Sequence, residues 1–155
     1  MRIEQLPIDR DRLGEGPFWD HRLGVLYWLD HLAPSVRRFN PASGETRSWL
    51  LPKKAGCACL TTDETRLIIA LSNSFAILDL QNGSCQDIVA VPQPREAVRL
   101  SDGRADRAGG FVVGSAVTDL CWPLRIGVYP WIGKIGVNRC RLTRLPSSST
   151  TPSRL

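Results

Sequence analysis

Residues 63–71 read DETRLIIAL, which is an aspartate followed by a short turn and an apolar strand. The same arrangement occurs 43 residues earlier, in DHRLGVLYWL, and 43 residues later, in DRAGGFVVGS. Two sets of residues keep this step: Asp20, Asp63 and Asp106, and Val25, Ile68 and Phe111. Two sets in one register indicate an internal repeat, and a period of this length is typical of stacked or radial repeat folds.

Each repeat continues with short strands separated by turns that contain glycine. The first reads SVRRFN, PASGE and TRSWLL, and the second reads SFAILDL, QNGS and CQDIVAV. No run has helical spacing, so the chain is predicted to be all-β. Four strands in about 43 residues are typical of a β-propeller blade, and the constant step favours a propeller over a β-sandwich. We place the blades at about 13–52 and 55–94, with a third that begins near 98 and ends after its second strand.

The composition limits the class of protein. The chain has 155 residues, of which 43% are hydrophobic and 23% charged, enough for one globular domain and unlike a disordered chain. Charged residues interrupt every apolar stretch well before the 18–20 residues needed to span a bilayer, so no membrane partner is expected. The first sixteen residues carry charges of both signs where an export signal needs an apolar core, and we therefore expect a cytoplasmic protein.

The net charge of +5 comes from the end of the chain. Residues 1–119 hold all 15 acidic residues and 14 of the 20 basic ones, whereas residues 120–155 hold six basic residues and no acid. The basic residues of the tail are spread out with no aromatic platform between them, so binding to nucleic acid is not expected. We divide the chain into blades at 1–119 and a divergent, irregular tail at 120–155.

The divergence of the tail has two explanations. We favour a frameshift or premature end near Asp119, which would leave the tail without a fold of its own. The alternative is a natural short chain whose aromatic side chains, Trp122, Tyr129 and Trp131, cap the open face of the last blade.

Several separated motifs carry a family resemblance. LGEGPFWDHRLGVLYWLD at 13–30 resembles the opening blade of the SMP-30/gluconolactonase/LRE family of regucalcin-like sugar lactonases, and VRLSDGRADRAGGFVVGS at 98–115 is similar to its third-blade motif. FNPASGETRSWLLP and FAILDLQNGS match its blade-closing turns, so the resemblance covers about residues 10–119. It implies a six-bladed propeller that binds a divalent cation, calcium before zinc, and opens the ring of a sugar lactone.

The resemblance also implies roles for individual residues. Glu15, in the G-E-G-P motif, matches the family's metal-binding glutamate, and Arg99 matches a substrate-contacting arginine. Ser101 stands where the family has a substrate-contacting asparagine, and Asp119 stands where it has a substrate-contacting glutamate. Both residues are polar, but their side chains are shorter than those they replace. The general base of the family lies beyond the matching region, so no catalytic residue is assigned. From the residues themselves we interpret Asp102 and Asp106 as turn formers.

The family's other two metal ligands, an asparagine and an aspartate of later blades, have no counterpart after Asp119. Asn138 is the only asparagine there, and its surroundings, GVNRCR, do not match. A calcium site uses about six to eight oxygens, so one carboxylate is not enough. We therefore expect a member of the lactonase family with an incomplete site and little or no activity as this chain. The alternative is a non-catalytic binding or assembly module, in which half-propellers pair through their open blade faces.

Overall fold

Twelve strands make up the regular structure of the residues that are described. The computed structural model describes residues 3, 5–92, 98–107, 109–117, 131–136 and 139–144, the last two ranges only as strands. Within these residues there is no helix, and so none that could cross a membrane. The strands are β1 (Gly14–Asp20), β2 (Val25–Asp30), β3 (Ser35–Phe39), β4 (Thr46–Leu50), β5 (Ala55–Leu60), β6 (Arg66–Leu71), β7 (Ser74–Asp79), β8 (Cys85–Ala90), β9 (Val98–Ala105), β10 (Gly110–Val117), β11 (Trp131–Gly136) and β12 (Arg139–Arg144).

The strands form three antiparallel sheets of four, each following chain order. They are β1-β2-β3-β4, β5-β6-β7-β8 and β9-β10-β11-β12, which we call blades 1, 2 and 3. The first strands of successive blades contact one another, β1 with β5 and β5 with β9. The all-β, blade-by-blade architecture predicted from the repeat is confirmed.

Blade 3 differs from expectation in its length. The sequence predicts only two strands for this blade, but β11 pairs with β10 and β12 pairs with β11. Part of the expected irregular tail is thus strand, and Gly133 and Gly136 interrupt the apolar alternation that would have signalled it. These residues form strands because β11 pairs with the edge of β10, and the local sequence gives no signal of this pairing. The division after Asp119 stays a prediction.

The core lies between the blades, and the middle blade is buried on both faces. Along β6, Leu67, Ile69 and Leu71 belong to a cluster shared with blade 1, whereas Ile68 and Ala70 belong to one shared with blade 3. Successive side chains of a strand point to opposite faces. A strand that is covered on both sides therefore reads as a continuous apolar run, as RLIIAL does.

The aspartates of the 43-residue repeat anchor the turn after the first strand of each blade. In each case an Oδ1 of the aspartate accepts a backbone N–H. The bonds are Arg22 N–H to Asp20 at 2.9 Å, Thr65 N–H to Asp63 at 2.9 Å, and Gly110 N–H to Asp106 at 2.7 Å. Such side-chain-to-backbone bonds are why Asp is common in turns. The interpretation of Asp106 as a turn former is confirmed.

Asp20 also joins blade 1 to blade 2 through Arg22. The Arg22 guanidinium donates to both Asp20 carboxylate oxygens, and its Nη1 donates to the Thr61 carbonyl of blade 2 at 2.9 Å. This side-chain hydrogen bond from Arg22 lowers the pKa of the buried Asp20 carboxyl, against the effect of burial. The ionised pair ties the two blades together at the ends of β1 and β5.

We expect Asp20→Asn to lower the free energy of unfolding by about 1.5–3 kcal/mol at pH 7, because a hydrogen bond to a charged partner is lost. The pKa of Asp20 is lower in the folded than in the unfolded chain, where it is near 3.9. Its contribution is therefore complete above about pH 5 and is lost as the pH falls through the folded value. Urea unfolding from pH 7 to pH 3 should show the gap between wild type and variant narrowing.

The control for this measurement is Glu45→Gln. Glu45 is exposed and forms ion pairs with Arg47 at 3.0 Å and with Arg38 at 3.5 Å, and ion pairs at the surface contribute little. Equal losses for the two variants, or a gap for Asp20→Asn that stays constant with pH, would contradict the prediction.

Candidate functional site

The residues assigned by sequence resemblance lie on the first strands of blades 1 and 3. Glu15 is on β1, and Arg99 and Ser101 are on β9. Strand β5 contacts both β1 and β9, so it stands between the two groups. Asp119 lies outside the described residues. The fold thus brings three of the four predicted residues to one side of the molecule, where the first strands of the blades meet.

Each of these three first strands has a β-bulge in its N-terminal half. The pairing with the second strand shifts between Glu15 and Phe18 in β1, between Ala55 and Cys57 in β5, and between Leu100 and Gly103 in β9. Bulges bend the strand and redirect side chains, and they are common next to functional sites. Glu15 flanks the first bulge and Ser101 lies within the third.

The Glu15 carboxylate is free to bind a ligand. Its side chain is exposed, and among the residues that the structure describes it has no hydrogen-bond or ion-pair partner. Gly16 follows with a φ of 58°, a conformation that favours glycine, and Pro17 has no N–H to donate. The sequence G-E-G-P therefore forms the bulge and leaves the carboxylate beside it unpaired.

Gly56 lets β5 and β9 approach at backbone distance. A Cβ at this position would lie 2.5 Å from the Ser101 carbonyl oxygen and 2.6 Å from that of Leu100. Only glycine fits such an approach, so β5 has no side chain at its bulge. The backbone at Ser101 is held directly against the middle blade.

Arg99 and Ser101 are both half-buried. The Arg99 Nη1 is 3.5 Å from the Leu100 carbonyl oxygen, a long and therefore weak hydrogen bond. Most of its five donors are thus available to a ligand with several oxygens. Asp102 is exposed and lies within the β9 bulge rather than in a turn, so the turn-former interpretation is wrong for this residue. Its Oδ1 accepts the N–H of Gly103 at 2.8 Å.

Two buried residues at this end of the strands were not predicted. Asp30, the last residue of β2, is 5% exposed, and His31, which follows it, is 6% exposed. Burial alone would raise the pKa of Asp30, but four backbone N–H groups that donate to its carboxylate lower it instead. The His31 Nδ1 is 2.9 Å from the Ala55 carbonyl oxygen of β5. An Asp at the end of an apolar strand indicates a turn, but nothing in the sequence indicates the contact between His31 and Ala55.

A cavity of about 290 Å³ lies at the opposite ends of the first strands, with His21, Cys59 and Thr61 in its lining. Burial raises the pKa of the Cys59 thiol. None of the predicted site residues lines this cavity, so it is separate from the bulges. It carries no cluster of charged groups that would select a ligand.

The carboxylate of Glu15 beside the β1 bulge is the kind of ligand that a hard divalent cation prefers, but few such ligands are present in the part of the chain that the structure describes. Carboxylate oxygens are the ligands that Ca²⁺ prefers. No group of three or more His, Cys, Asp or Glu side chains that could hold a metal is found in the described residues. Glu15 supplies one carboxylate, which is fewer donors than the six to eight oxygens that Ca²⁺ takes.

Comparison with known proteins is consistent with this arrangement. Residues 13–128 match the family model described as SMP-30/Gluconolactonase/LRE-like region. L-arabinolactonase of Azospirillum brasilense is 36% identical over 105 residues, which cover 68% of this chain and 35% of the relative. The 6-deoxy-6-sulfogluconolactonase of Pseudomonas putida is 35% identical over 103 residues, or 66% of this chain and 35% of that protein. Regucalcin of Gallus gallus is 28% identical, with 77% of this chain and 40% of that protein covered.

Solved structures support the fold. A luciferin-regenerating enzyme matches with a TM-score of 0.68 and 25% identity, over 86% of this chain and 46% of that one. A calcium-binding protein, regucalcin, from Agrobacterium tumefaciens matches with a TM-score of 0.63 and 22% identity, over 69% of this chain and 36% of that one. The chain spans about a third to under half of the length of these proteins.

Proposed function

This chain belongs to the SMP-30/gluconolactonase/LRE-like family, and from that premise we propose that its first strands form part of a cation-dependent site that opens sugar lactones. The observation that carries the proposal is the unpaired Glu15 carboxylate beside the β1 bulge. Two of the relatives that match it are named as lactonases of sugar acids, and one solved relative as a calcium-binding protein.

Each residue has a defined task in this proposal. The Glu15 carboxylate donates electron pairs to the cation, and when bound the cation would polarise the lactone carbonyl. The Arg99 guanidinium donates hydrogen bonds to lactone or hydroxyl oxygens, which orients the ring. The Ser101 hydroxyl donates to, or accepts from, a neighbouring sugar hydroxyl. Asp119 is proposed as a further substrate contact, and calcium is the preferred cation, with zinc second.

We propose that the 155-residue chain by itself turns over little or no lactone. Among the described residues no group of three or more side chains could hold a metal, and the chain covers 35% of the lactonases that it resembles. A site with few donors binds its cation in the millimolar range, as the weaker calcium modules do. Binding of the cation can therefore be tested separately from turnover.

The test uses Mn²⁺, a paramagnetic cation with the same preference for oxygen donors. In NMR spectra of the wild-type chain, millimolar Mn²⁺ should broaden the amide signals of residues 13–16 and 99–102 selectively. Glu15→Gln keeps the shape of the side chain but removes its charge, so the selective broadening should be lost. Added Ca²⁺ should compete with Mn²⁺ and restore the signals.

The control is Glu64→Gln, which removes an exposed carboxylate from the turn at the opposite end of the blades. This variant should keep the wild-type broadening. Hydrolysis of aldonolactones, measured in parallel, should stay near the uncatalysed rate. A cation-dependent turnover that Glu15→Gln abolishes would overturn the proposal of inactivity.

The alternative is a non-catalytic module in which two chains pair through their open blade faces. Its support is the outer face of β10, where Val112, Gly114 and Ala116 remain partly exposed while the residues between them are buried. On blade 1 the opposite face is already covered, since Asp11 accepts the N–H of Trp28 at 2.7 Å and Arg37 lies 5.5 Å from its ring. Unchanged spectra with Mn²⁺, together with sedimentation as a dimer, would favour this alternative.

A further inference from the structure

The buried pair Asp30 and His31, which we call the Asp30–His31 latch, connects the first strands of blades 1 and 2. Asp30 ends β2 and His31 begins the turn after it, and neither is among the residues assigned by the family resemblance. The latch is at the bulge end of the strands, on the side of Glu15. Its hydrogen bonds reach the residues before Glu15 on β1 and Ala55 on β5.

The first half of the latch fixes the chain just before Glu15. The Asp30 carboxylate accepts the backbone N–H groups of Arg12 at 2.9 Å and of Leu13 at 3.1 Å. The backbone N–H of His31 donates to the Leu13 carbonyl at 2.9 Å. Three hydrogen bonds therefore anchor the two residues that precede Gly14 and Glu15.

These hydrogen bonds matter for Glu15 because the bulge interrupts the pairing of β1 with β2 after this residue. After Glu15 the pairing of β1 with β2 resumes only at Phe18, and Pro17 has no N–H for the ladder. Glu15 is thus supported by the ladder on one side and depends on Leu13 and the latch for its position. A mobile backbone at Glu15 would lose conformational entropy on binding a ligand, and a backbone that is already fixed avoids this loss.

The second half of the latch reaches the middle blade. The Ala55 carbonyl can only accept, so the His31 Nδ1–H donates to this oxygen at 2.9 Å. Ala55 directly precedes the β5 bulge at Gly56, whose backbone packs against Ser101 of β9. A continuous path of contacts therefore runs from Glu15 through His31 to Ser101.

We propose that Asp30 and His31 are positioning residues, which hold Glu15 on β1 at a set distance from Arg99 and Ser101 on β9. This inference rests on the proposed function for the role of Glu15, but the spacing of the strands can be measured without any cation. In this view the buried histidine sets the separation of β1 from β5, in addition to its contribution to stability.

The test compares His31→Leu with His31→Asn by hydrogen exchange of the full chain. Leucine leaves the buried Ala55 carbonyl without its donor, so exchange of amides in 12–16 and 56–58 should become about tenfold faster. The Asn side-chain nitrogen stands where Nδ1 stood and can donate to the same oxygen, so this variant should restore most of the protection.

The matched control is Arg22→Leu. Arg22 also joins blade 1 to blade 2, through the Thr61 carbonyl, but at the opposite end of the strands. This variant should speed exchange near residues 20–24 and 61–63 and leave 12–16 as in the wild type. If His31→Leu speeds exchange evenly along the chain, or if Arg22→Leu has the same effect on 12–16, the latch has a structural role only and the proposal is wrong.

A second measurement separates the latch from the proposed function. With Mn²⁺ bound at Glu15, His31→Leu should weaken the broadening of signals in 99–102 relative to 13–16, and His31→Asn should restore it. If the wild-type chain shows no selective broadening, the cation site is refuted while hydrogen exchange still decides on the latch. If broadening is present but the ratio of broadening in 99–102 to that in 13–16 is the same in the wild type, His31→Leu and His31→Asn, positioning by His31 is refuted. The cation site would then still stand.

Discussion

Replacing either Ile68 or Ile69 by alanine is expected to lower the free energy of unfolding by about 2–5 kcal/mol, the usual range for truncating a buried aliphatic side chain. The two residues are neighbours in β6 and point to opposite faces of the sheet. Ile69 is fully buried in the cluster shared with blade 1, and Ile68 is 2% exposed in the cluster shared with blade 3. Large losses at both positions follow only if the middle blade is covered on both sides.

Urea denaturation of the two variants provides the measurement, with Leu50→Ala as the control. Leu50 ends β4 with 82% of its surface exposed, so its truncation should change the free energy of unfolding by less than about 0.5 kcal/mol. A large loss at Ile69 with no loss at Ile68 would mean that blade 3 does not cover blade 2. The packing would then resemble a two-layer sandwich more than consecutive blades.

Gly56→Ala is expected to destabilise the chain by about 2–3 kcal/mol, the upper part of the range for overpacking. The new Cβ would stand 2.5 Å from the Ser101 carbonyl oxygen and 2.6 Å from that of Leu100, and both are backbone atoms that cannot move aside alone. Relief of the clash requires β9 to move away from β5. The change should therefore reach Ser101 and Arg99 as well as the stability of the chain.

Gly114→Ala in β10 provides a matched control for this change. Its Cβ would meet its nearest neighbour, the Asp102 carbonyl oxygen, at an ordinary contact distance of 3.6 Å. We expect a loss well below that of Gly56→Ala in the same urea experiment, and amide chemical shifts in 99–102 that change much less. Equal stability of the two variants would show that β5 and β9 are farther apart than the structure has them.

The strands and turns of the blades could be predicted because their signals are local. Asp20, Asp63 and Asp106 each bind a backbone N–H within four residues, so the turn chemistry is contained in one stretch of sequence. Apolar runs such as RLIIAL report burial through their own composition. The last two strands of blade 3 were missed because glycines break the alternation and pairing with β10 decides the outcome.

The site could be predicted only in part. Glu15, Arg99 and Ser101 were identified from motifs, and the structure places them on strands that both contact β5. Nothing in the sequence marks Gly56 as a point of close approach, because its neighbours there are 44 and 45 residues away. His31 reads as a loop residue, since its partner, Ala55, is 24 residues away.

By itself the sequence determined the 43-residue repeat, the β class and the turn aspartates at its step. These features depend on local hydrogen bonds and on the alternation of side chains along a strand, which any short stretch already contains. Only the tertiary structure decided that blade 1 covers one face of β6 and blade 3 the other, that β5 and β9 meet at Gly56, and that His31 links β1 to β5. Those outcomes depend on contacts between blades, where distance in space is unrelated to distance along the chain.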